Sequence, residues 1–318
     1  MEGSEPSSAV HSLPPNLDLS AGLCNSADEL AEQLLPDCKL VWHVRHGQST
    51  GNEAKEAARR ADKETGEKIH EEQYKTSMAY IDAHLTDKGM RQAEEARQVV
   101  ATWREKPVLI VCSPLTRAIQ TAAIVFQDLL RDGSAQLVIR PEIREFWSDN
   151  NENMGRTLDE LRACPRLQAL THWEIVQHAL SMEATSDWHA QWDGQWASGS
   201  DGAWQAHVLD PRRLRNFSLW LARRPETKIA VVSHWGTINN ILNREPWADE
   251  RPKKKVEEDL ERWRFPESWP KGGMAQVFTM PNCGWIALLM TPSARIEATE
   301  DVATLAASTT AERQAVDG

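Results

Sequence analysis

The sequence predicts an α/β fold, a three-layer sandwich with a mostly parallel central sheet flanked by helices. Three observations predict it: short runs rich in Val, Ile and Leu, near-continuous apolarity within those runs, and helix-like stretches between them. A strand exposed on one face alternates apolar and polar residues, so an unbroken apolar run belongs to a strand covered on both faces. Strands that alternate with helices in this way pair in parallel.

Taken in order, residues 1–37 are rich in Ser, Pro, Asn and acids, which reads as a disordered tail too poor in apolar residues to build a core. The run at 39–44 is the first strand. Residues 53–83, heavy in Lys, Glu and Arg, read as an insertion of solvated helices or loops over one edge. Residues 89–103 place Ala93, Ala96, Val99, Val100 and Trp103 on one helical face and Arg91, Glu94, Glu95 and Arg97 mainly on the other. Strands follow at 107–112 and 136–140, separated by a helix over 115–130 that is apolar on most sides and therefore packs deep against the sheet. Trp188, Trp192 and Trp196 recur at intervals of four, a spacing that stacks them on one helical face. Packing of a lid is the first reading, and a substrate-stacking surface the alternative. A strand at 228–233 precedes a second charged insertion at 244–272, which carries KKKVEEDLERW with opposite charges at helical spacing. Strands near 275–280 and 284–290 close the folded domain, read as residues 38–291, and residues 292–318 read as a second disordered tail.

The 318 residues carry 36 Lys and Arg against 47 Asp and Glu, a formal net charge of −11, so a nucleic-acid or anionic-membrane binder is disfavoured. Any anion handled by such a chain must meet a local cluster of positive groups. Five cysteines, Cys24, Cys38, Cys112, Cys164 and Cys283, form no CxxC pair and fit neither a disulfide framework nor a zinc site; they read as reduced thiols of a cytoplasmic protein. The first residues lack the positive charge and apolar run of a signal peptide, and no stretch approaches the roughly 18 apolar residues of a membrane span.

The chemistry sits at three strand ends. KLVWHV runs into Arg45, His46, Gly47, Gln48 and Ser49, with Gly51 and Asn52 close behind. PVLIVC ends in Ser113, Pro114, Leu115, Thr116 and Arg117 as a helix begins, and KIAVVS ends in His234, Trp235, Gly236 and Thr237 before another. Open α/β sheets bind ligands beyond the carboxyl ends of their strands, and helix N-termini favour anions. Singly, such a His is more often just hydrogen-bonded and such an Arg more often in a surface ion pair. Two His and two Arg together give an acidic chain a concentrated positive pocket of the kind a phosphoryl group requires. His43, three residues before His46, points to the opposite face of a strand and cannot share a metal with it.

VRHGQSTGN resembles the signature of the histidine phosphatase superfamily, the phosphoglycerate mutase-like family; LTDKGMRQA, CSPLTRAIQTA and VVSHWGTI resemble its other blocks in the family's order. The resemblance implies the α/β sandwich, a nucleophilic His46 that becomes phosphohistidine, and Arg45, Arg117 and His234 as ligands of the phosphoryl oxygens. It implies Asn52 at the pocket rim, with Gly47 and Ser49 as further substrate-binding positions. One branch of the family has an Asp proton donor directly after the second histidine; Trp235 stands there, which implies branch 1, whose donor is a glutamate. RPEIREFWSDNNENMGRTLDEL resembles that branch's block and implies Glu145, with Glu142, Asp149 and Glu152 as alternatives. The family's short glycine-containing turn after this glutamate is replaced by Phe146, Trp147, Ser148, Asp149 and Asn150, and aromatic neighbours would raise a carboxyl pKa toward that of a working acid.

Physical chemistry supports the same roles without the family. A neutral imidazole can attack phosphorus near pH 7, and two guanidinium groups stabilise the charge of the transition state, so no metal or cofactor is called for. The expected function is a phosphatase hydrolysing a small phosphate monoester. The alternatives are mutase-type phosphoryl transfer, weakened by the charge-rich stretch of roughly thirty residues that separates Asn52 from Leu85 where mutases are compact, and a non-catalytic phosphate-binding module.

Overall fold

A computed structural model of the chain describes residues 39–145, 150–184, 212–243, 263–264 and 282–290. The expected tails, the tryptophan repeat at 188–196, the strand near 275–280 and nearly all of the second charged insertion lie outside the described residues.

The strands are β1 (Lys39–Arg45), β2 (Leu109–Cys112), β3 (Gln136–Ile139), β4 (Lys228–Ser233), β5 (Trp263–Arg264) and β6 (Trp285–Met290). They form one sheet in the order β3-β2-β4-β1-β6-β5. The four strands β3, β2, β4 and β1 run parallel, while β6 is antiparallel to β1 and β5 antiparallel to β6. β5 had no counterpart in the sequence pattern. The six residues Lys39–Val44 are all buried, and since neighbours on a strand point to opposite faces, the sheet is covered on both. The α/β architecture with a mostly parallel sheet flanked by helices is therefore as the apolar runs predicted.

Helices α1 (Thr50–Thr65), α2 (Ile69–Thr76) and α3 (Asp87–Thr102) follow β1; α4 (Thr116–Val125) and α5 (Gln127–Arg131) follow β2. After β3 come α6 (Leu158–Arg162), α7 (Pro165–Gln168), α8 (Trp173–Ala184) and α9 (Arg212–Arg223), and α10 (Trp235–Asn243) follows β4. α3 buries Ala93, Ala96 and Val100 as its periodicity predicts, and ends one residue short, with Trp103 as its cap. Trp103 stacks on Trp42 of β1 at 5.2 Å and meets Trp285 of β6 edge-on at 5.5 Å. Truncating the fully buried Trp42 to Ala would cost about 3–5 kcal/mol on general experience with large core aromatics.

The charged segment at 53–83 is helical, but not merely solvated. Asp62 closes the α1–α2 corner by accepting from the backbone N–H groups of His70 (2.8 Å) and Glu71 (2.9 Å). Tyr74 and Asp82 are carried inward: Tyr74 is buried, and Asp82, at φ 48°, accepts from the Thr116 N–H at 2.8 Å. α4 has no side-chain cap of its own, so Asp82 supplies one from a distant part of the chain. Arg156 Nε, 3.1 Å away, is its counter-ion.

What positions the site is register. Arg45 pairs with Ser233, and Cys112 with Val232, so β1, β4 and β2 end level with one another. β4 inserts between the earlier β1 and β2, so the loops that follow these three strands open on one crevice, where the winding of the sheet reverses. The loops are pinned to the sheet by His46 N–H to Ser233 O (3.0 Å), Ser113 N–H to Val232 O (3.0 Å) and Arg45 N–H to Gly284 O (2.9 Å).

His43 carries a consequence for stability. Burial in the central strand pushes its pKa from 6.5 down to about 3. The unfolded chain therefore takes up this proton first, so stability that is complete above pH 6.5 is lost as the pH falls toward 3, to a total on the order of 5 kcal/mol. Urea midpoints measured across this window should fall with pH, and His43→Gln should flatten the slope. A wild-type midpoint that stays level down to pH 4 would contradict a buried neutral imidazole.

Candidate active site

His46 follows directly on β1 and is 3% exposed. Its Nδ1 lies 2.7 Å from the carbonyl oxygen of Gly47, which can only accept, so Nδ1 carries the ring proton and Nε2 keeps its lone pair. Arg117 Nε–H points at that Nε2 from 3.3 Å. Burial first, then the charges of Arg117 and Arg45, hold the His46 pKa well below its ordinary value. The imidazole is therefore neutral at neutral pH, in the tautomer that presents a nucleophilic nitrogen.

Arg117 stands in the first turn of α4 and is 1% exposed. Its fork is fixed by two further bonds, Nη1–H to the Glu152 carbonyl (2.8 Å) and Nη2–H to Asn153 Oδ1 (2.7 Å). His234, at the turn from β4 to α10, is fully buried, and its ring centroid is 5.0 Å from that of His46. The two imidazoles are thus close enough to touch a common phosphoryl group. His234 Nε2 lies 2.7 Å from Ser113 Oγ, whereas its Nδ1 has no hydrogen-bond partner among the described residues. Burial, then the charges of Arg117 and His46, keep this ring neutral as well. Arg45 completes the group: burial and the Arg117 charge weaken its hold on its proton, while the carboxylates of Glu145 and Glu152 strengthen it.

Glu145 lies between β3 and the 3₁₀ turn Asn151–Asn153, and its Oε1 accepts from the N–H of Thr237 at 3.1 Å in the first turn of α10. A carboxyl group that accepts on one oxygen can carry a proton on the other. Glu142 instead forms a buried ion pair with Arg140. Glu152 is buried beside Gly51, where an added Cβ would lie 2.0 Å from its Oε2, and beside Tyr74, whose phenol is pushed up by burial and by the Glu152 charge. Asp149, Phe146 and Trp147 lie outside the described residues.

The residues expected to line the rim also have structural roles. Ser49 is fully buried and caps α1: its Oγ accepts from Asn52 N–H (3.1 Å) while Asn52 Oδ1 accepts from Ser49 N–H (3.3 Å), a reciprocal capping box. Asn52 Oδ1 also accepts from Asn282 Nδ2 at 3.3 Å. Gly47 is needed for close packing, since a Cβ there would come within 2.7 Å of Gly89 O; its N–H donates to Thr121 Oγ1 at 3.0 Å. Gly89 of LTDKG is as tight, with a Cβ position 2.0 Å from Gln48 O, so that motif serves as a backing plate for the His46 loop. Behind it Cys283, whose N–H reaches Arg45 O at 3.1 Å, has a thiol pushed up to about 12 by burial and is chemically quiet.

Ser113 and Asn153 contact His234 and Arg117 and were not singled out by the sequence reading, although Ser113 stands at the end of an apolar strand beside Arg117. Ser113 Oγ lies 2.7 Å from His234 Nε2, and a hydroxyl that donates there leaves the ring proton on Nδ1. Ser113→Ala releases that choice of tautomer; the expected result is a ~10-fold loss of kcat with the melting temperature changed by only a few degrees. Unchanged kinetics would mean the tautomer is set elsewhere.

Among the described residues no group of three or more His, Cys, Asp or Glu is placed to hold a metal ion, and no helix is long and apolar enough to cross a membrane.

The model of the histidine phosphatase superfamily (branch 1) matches residues 41–174. The phosphoglycerate mutase-like protein 1 of Arabidopsis thaliana is 28% identical over 225 residues, covering 65% of this chain and 71% of that protein. Among solved structures, phosphoglycerate mutase from Bacillus anthracis covers 80% of this chain and 89% of its own at 14% identity, with a TM-score of 0.40. A mycobacterial glucosyl-3-phosphoglycerate phosphatase covers 78% and 89% at 19% identity, with a TM-score of 0.34. At these scores the fold rests on the strand order given above. The segment that carries His46 and Arg117 is the part of the chain that the model of the histidine phosphatase superfamily, branch 1, matches.

Proposed function

We propose that this chain is a phosphohydrolase that cleaves a small phosphate monoester through a covalent phosphohistidine on His46. The observation that carries this reading is the neutral His46 ring: Nδ1 is tied to Gly47 O, Nε2 faces Arg117, and a second neutral imidazole stands 5.0 Å away. A pocket that only held phosphate would favour protonated imidazoles, whereas these are kept unprotonated by burial and by the arginines.

In the first step His46 Nε2 bonds to phosphorus and the bond from phosphorus to the ester oxygen breaks; the Glu145 carboxyl proton passes to the departing oxygen, giving the alcohol. In the second, water attacks the phosphohistidine and gives a proton to the Glu145 carboxylate, while the nitrogen–phosphorus bond breaks and inorganic phosphate leaves. Gly47 O steadies the positive charge that develops on the ring, and Arg45, Arg117 and the Nδ1–H of His234 bind the three phosphoryl oxygens. The free thiols Cys112, Cys164 and Cys283 fit a cytoplasmic, reducing setting.

The test uses the purified full chain with p-nitrophenyl phosphate, glycerol phosphate and 3-phosphoglycerate. Phosphate release is expected, with acid-labile, base-stable label on the protein after rapid quenching with a labelled ester. Isomerisation of 3-phosphoglycerate without net phosphate release would replace hydrolysis by the mutase reaction that the name of the Arabidopsis relative suggests. Absence of both would leave a binding module.

A further inference from the structure

We infer that Arg213 is the positioning residue of the proton donor: it grips the backbone that carries Glu145, and thereby decides how well Glu145 protonates a basic leaving group. The inference rests on the reading of Glu145 as donor.

Glu145 lacks the backbone support that a regular element gives a catalytic residue. It lies on neither a helix nor a strand; the 3₁₀ turn Pro141–Ile143 ends two residues before it, and no ladder holds its backbone. A donor in such a segment must be fixed from outside, because a misplacement of about 1 Å at the reacting atoms costs on the order of 100-fold in rate. Arg213, in the first turn of α9 and 3% exposed, provides the fixing. Its Nη1 donates to the carbonyl of Glu142 and, at 3.0 Å, to that of Arg144; its Nη2 donates to the carbonyl of Glu145 itself at 3.2 Å. One planar guanidinium thus sets the orientation of three carbonyls within four residues, which a flexible ammonium cannot do.

α10 grips the same segment from the other side. Thr237 Oγ1–H donates to Arg144 O at 2.5 Å, and Thr237 N–H donates to the Glu145 carboxyl at 3.1 Å. Arg213 and Thr237 therefore hold residues 144–145 between two helices, one of which begins next to His234. The charge of Arg213 is itself near enough to weaken proton binding by His234, so the clamp and the phosphoryl site share one electrostatic environment.

The consequence can be separated from simple structural damage. A poor leaving group, such as the alkoxide of glycerol phosphate, must be protonated as it departs, whereas p-nitrophenolate leaves without help. A residue that positions the acid therefore changes the ratio of the two rates, and a residue that merely supports the fold lowers both together. Arg213→Lys is expected to lower kcat on glycerol phosphate on the order of 10–100-fold and on p-nitrophenyl phosphate several-fold at most. Glu145→Gln should show the same selectivity more strongly, and the double variant should be no worse on glycerol phosphate than Glu145→Gln alone. Arg213→Gln, which keeps an amide donor, serves if the Lys variant does not fold.

Equal losses on both esters for each Arg213 variant would overturn the inference while leaving the donor intact. No leaving-group dependence in Glu145→Gln would remove Glu145 as donor, and the role of Arg213 with it. A wild-type chain that turns over neither ester would instead remove the proposed hydrolysis.

Discussion

On the proposed mechanism, replacing His46 with Asn should lower turnover by a factor on the order of 10⁴ or more, and by the same factor for aryl and alkyl esters. The loss is insensitive to the leaving group because it removes the bond-forming atom, not the acid that assists departure; this separates His46 from Glu145 in a single table of rates. Asn keeps a polar group near Gly47 O, the present partner of Nδ1, so the loop pinned by Ser233 O and Gly284 O has little reason to move. Circular dichroism should match wild type, and trapping with labelled ester should return no label on the protein. Acid-labile label on the His46→Asn variant would place the nucleophile elsewhere, with His234 the first residue to examine, since its Nδ1 is buried without a protein partner among the described residues.

How much of this site is legible in the sequence depends on which of its parts are local. His46, Arg117 and His234 each sit within five residues of an apolar strand, so a strand ending in polar residues is visible in the letters. That these ends meet follows from parallel pairing, and the register of Arg45 with Ser233 and Cys112 with Val232 gives the reason. Asp82, Asn153 and Arg213 were not legible because their meaning is long-range. Asp82 caps a helix that begins 34 residues later, in a segment whose charge density reads as solvent-facing. Arg213 stands in a run of arginines on an amphipathic helix, where the ordinary expectation is a surface ion pair, yet its donors go to carbonyls about 70 residues away. Ser49 and Asn52 carry a second meaning: beside the resemblance of their motif to a substrate-binding signature, their atoms form a reciprocal cap, which is also what S-x-x-N at a helix start encodes.

Arg117→Ala should be the most damaging change after loss of the nucleophile, for two separable reasons. In the transition state its fork faces charge spread over the phosphoryl oxygens, and removing a preorganised donor of this kind costs on the order of 10²–10³ in kcat. In the ground state it leaves the Glu152 carbonyl and Asn153 Oδ1 without their buried donor, which costs about 1–3 kcal/mol each unless water enters. Arg117→Lys distinguishes the fork from the charge. The ammonium keeps one positive charge but cannot span Glu152 O, Asn153 Oδ1 and His46 Nε2 at once, so activity should stay within about tenfold of the Ala variant. The pH profile gives an independent readout with a definite sign. The Arg117 charge is one of the causes that lower the pKa of both His46 and His234, so neutralising it lets both values rise toward 6.5. The nucleophile of Arg117→Ala is then protonated sooner as the pH falls, and the acid limb of kcat/KM moves to higher pH, while that of Arg117→Lys stays near wild type. A Lys variant with near-normal rates, or an acid limb that does not move in the Ala variant, would show that Arg117 acts neither as a fork nor as the charge that keeps the imidazoles neutral.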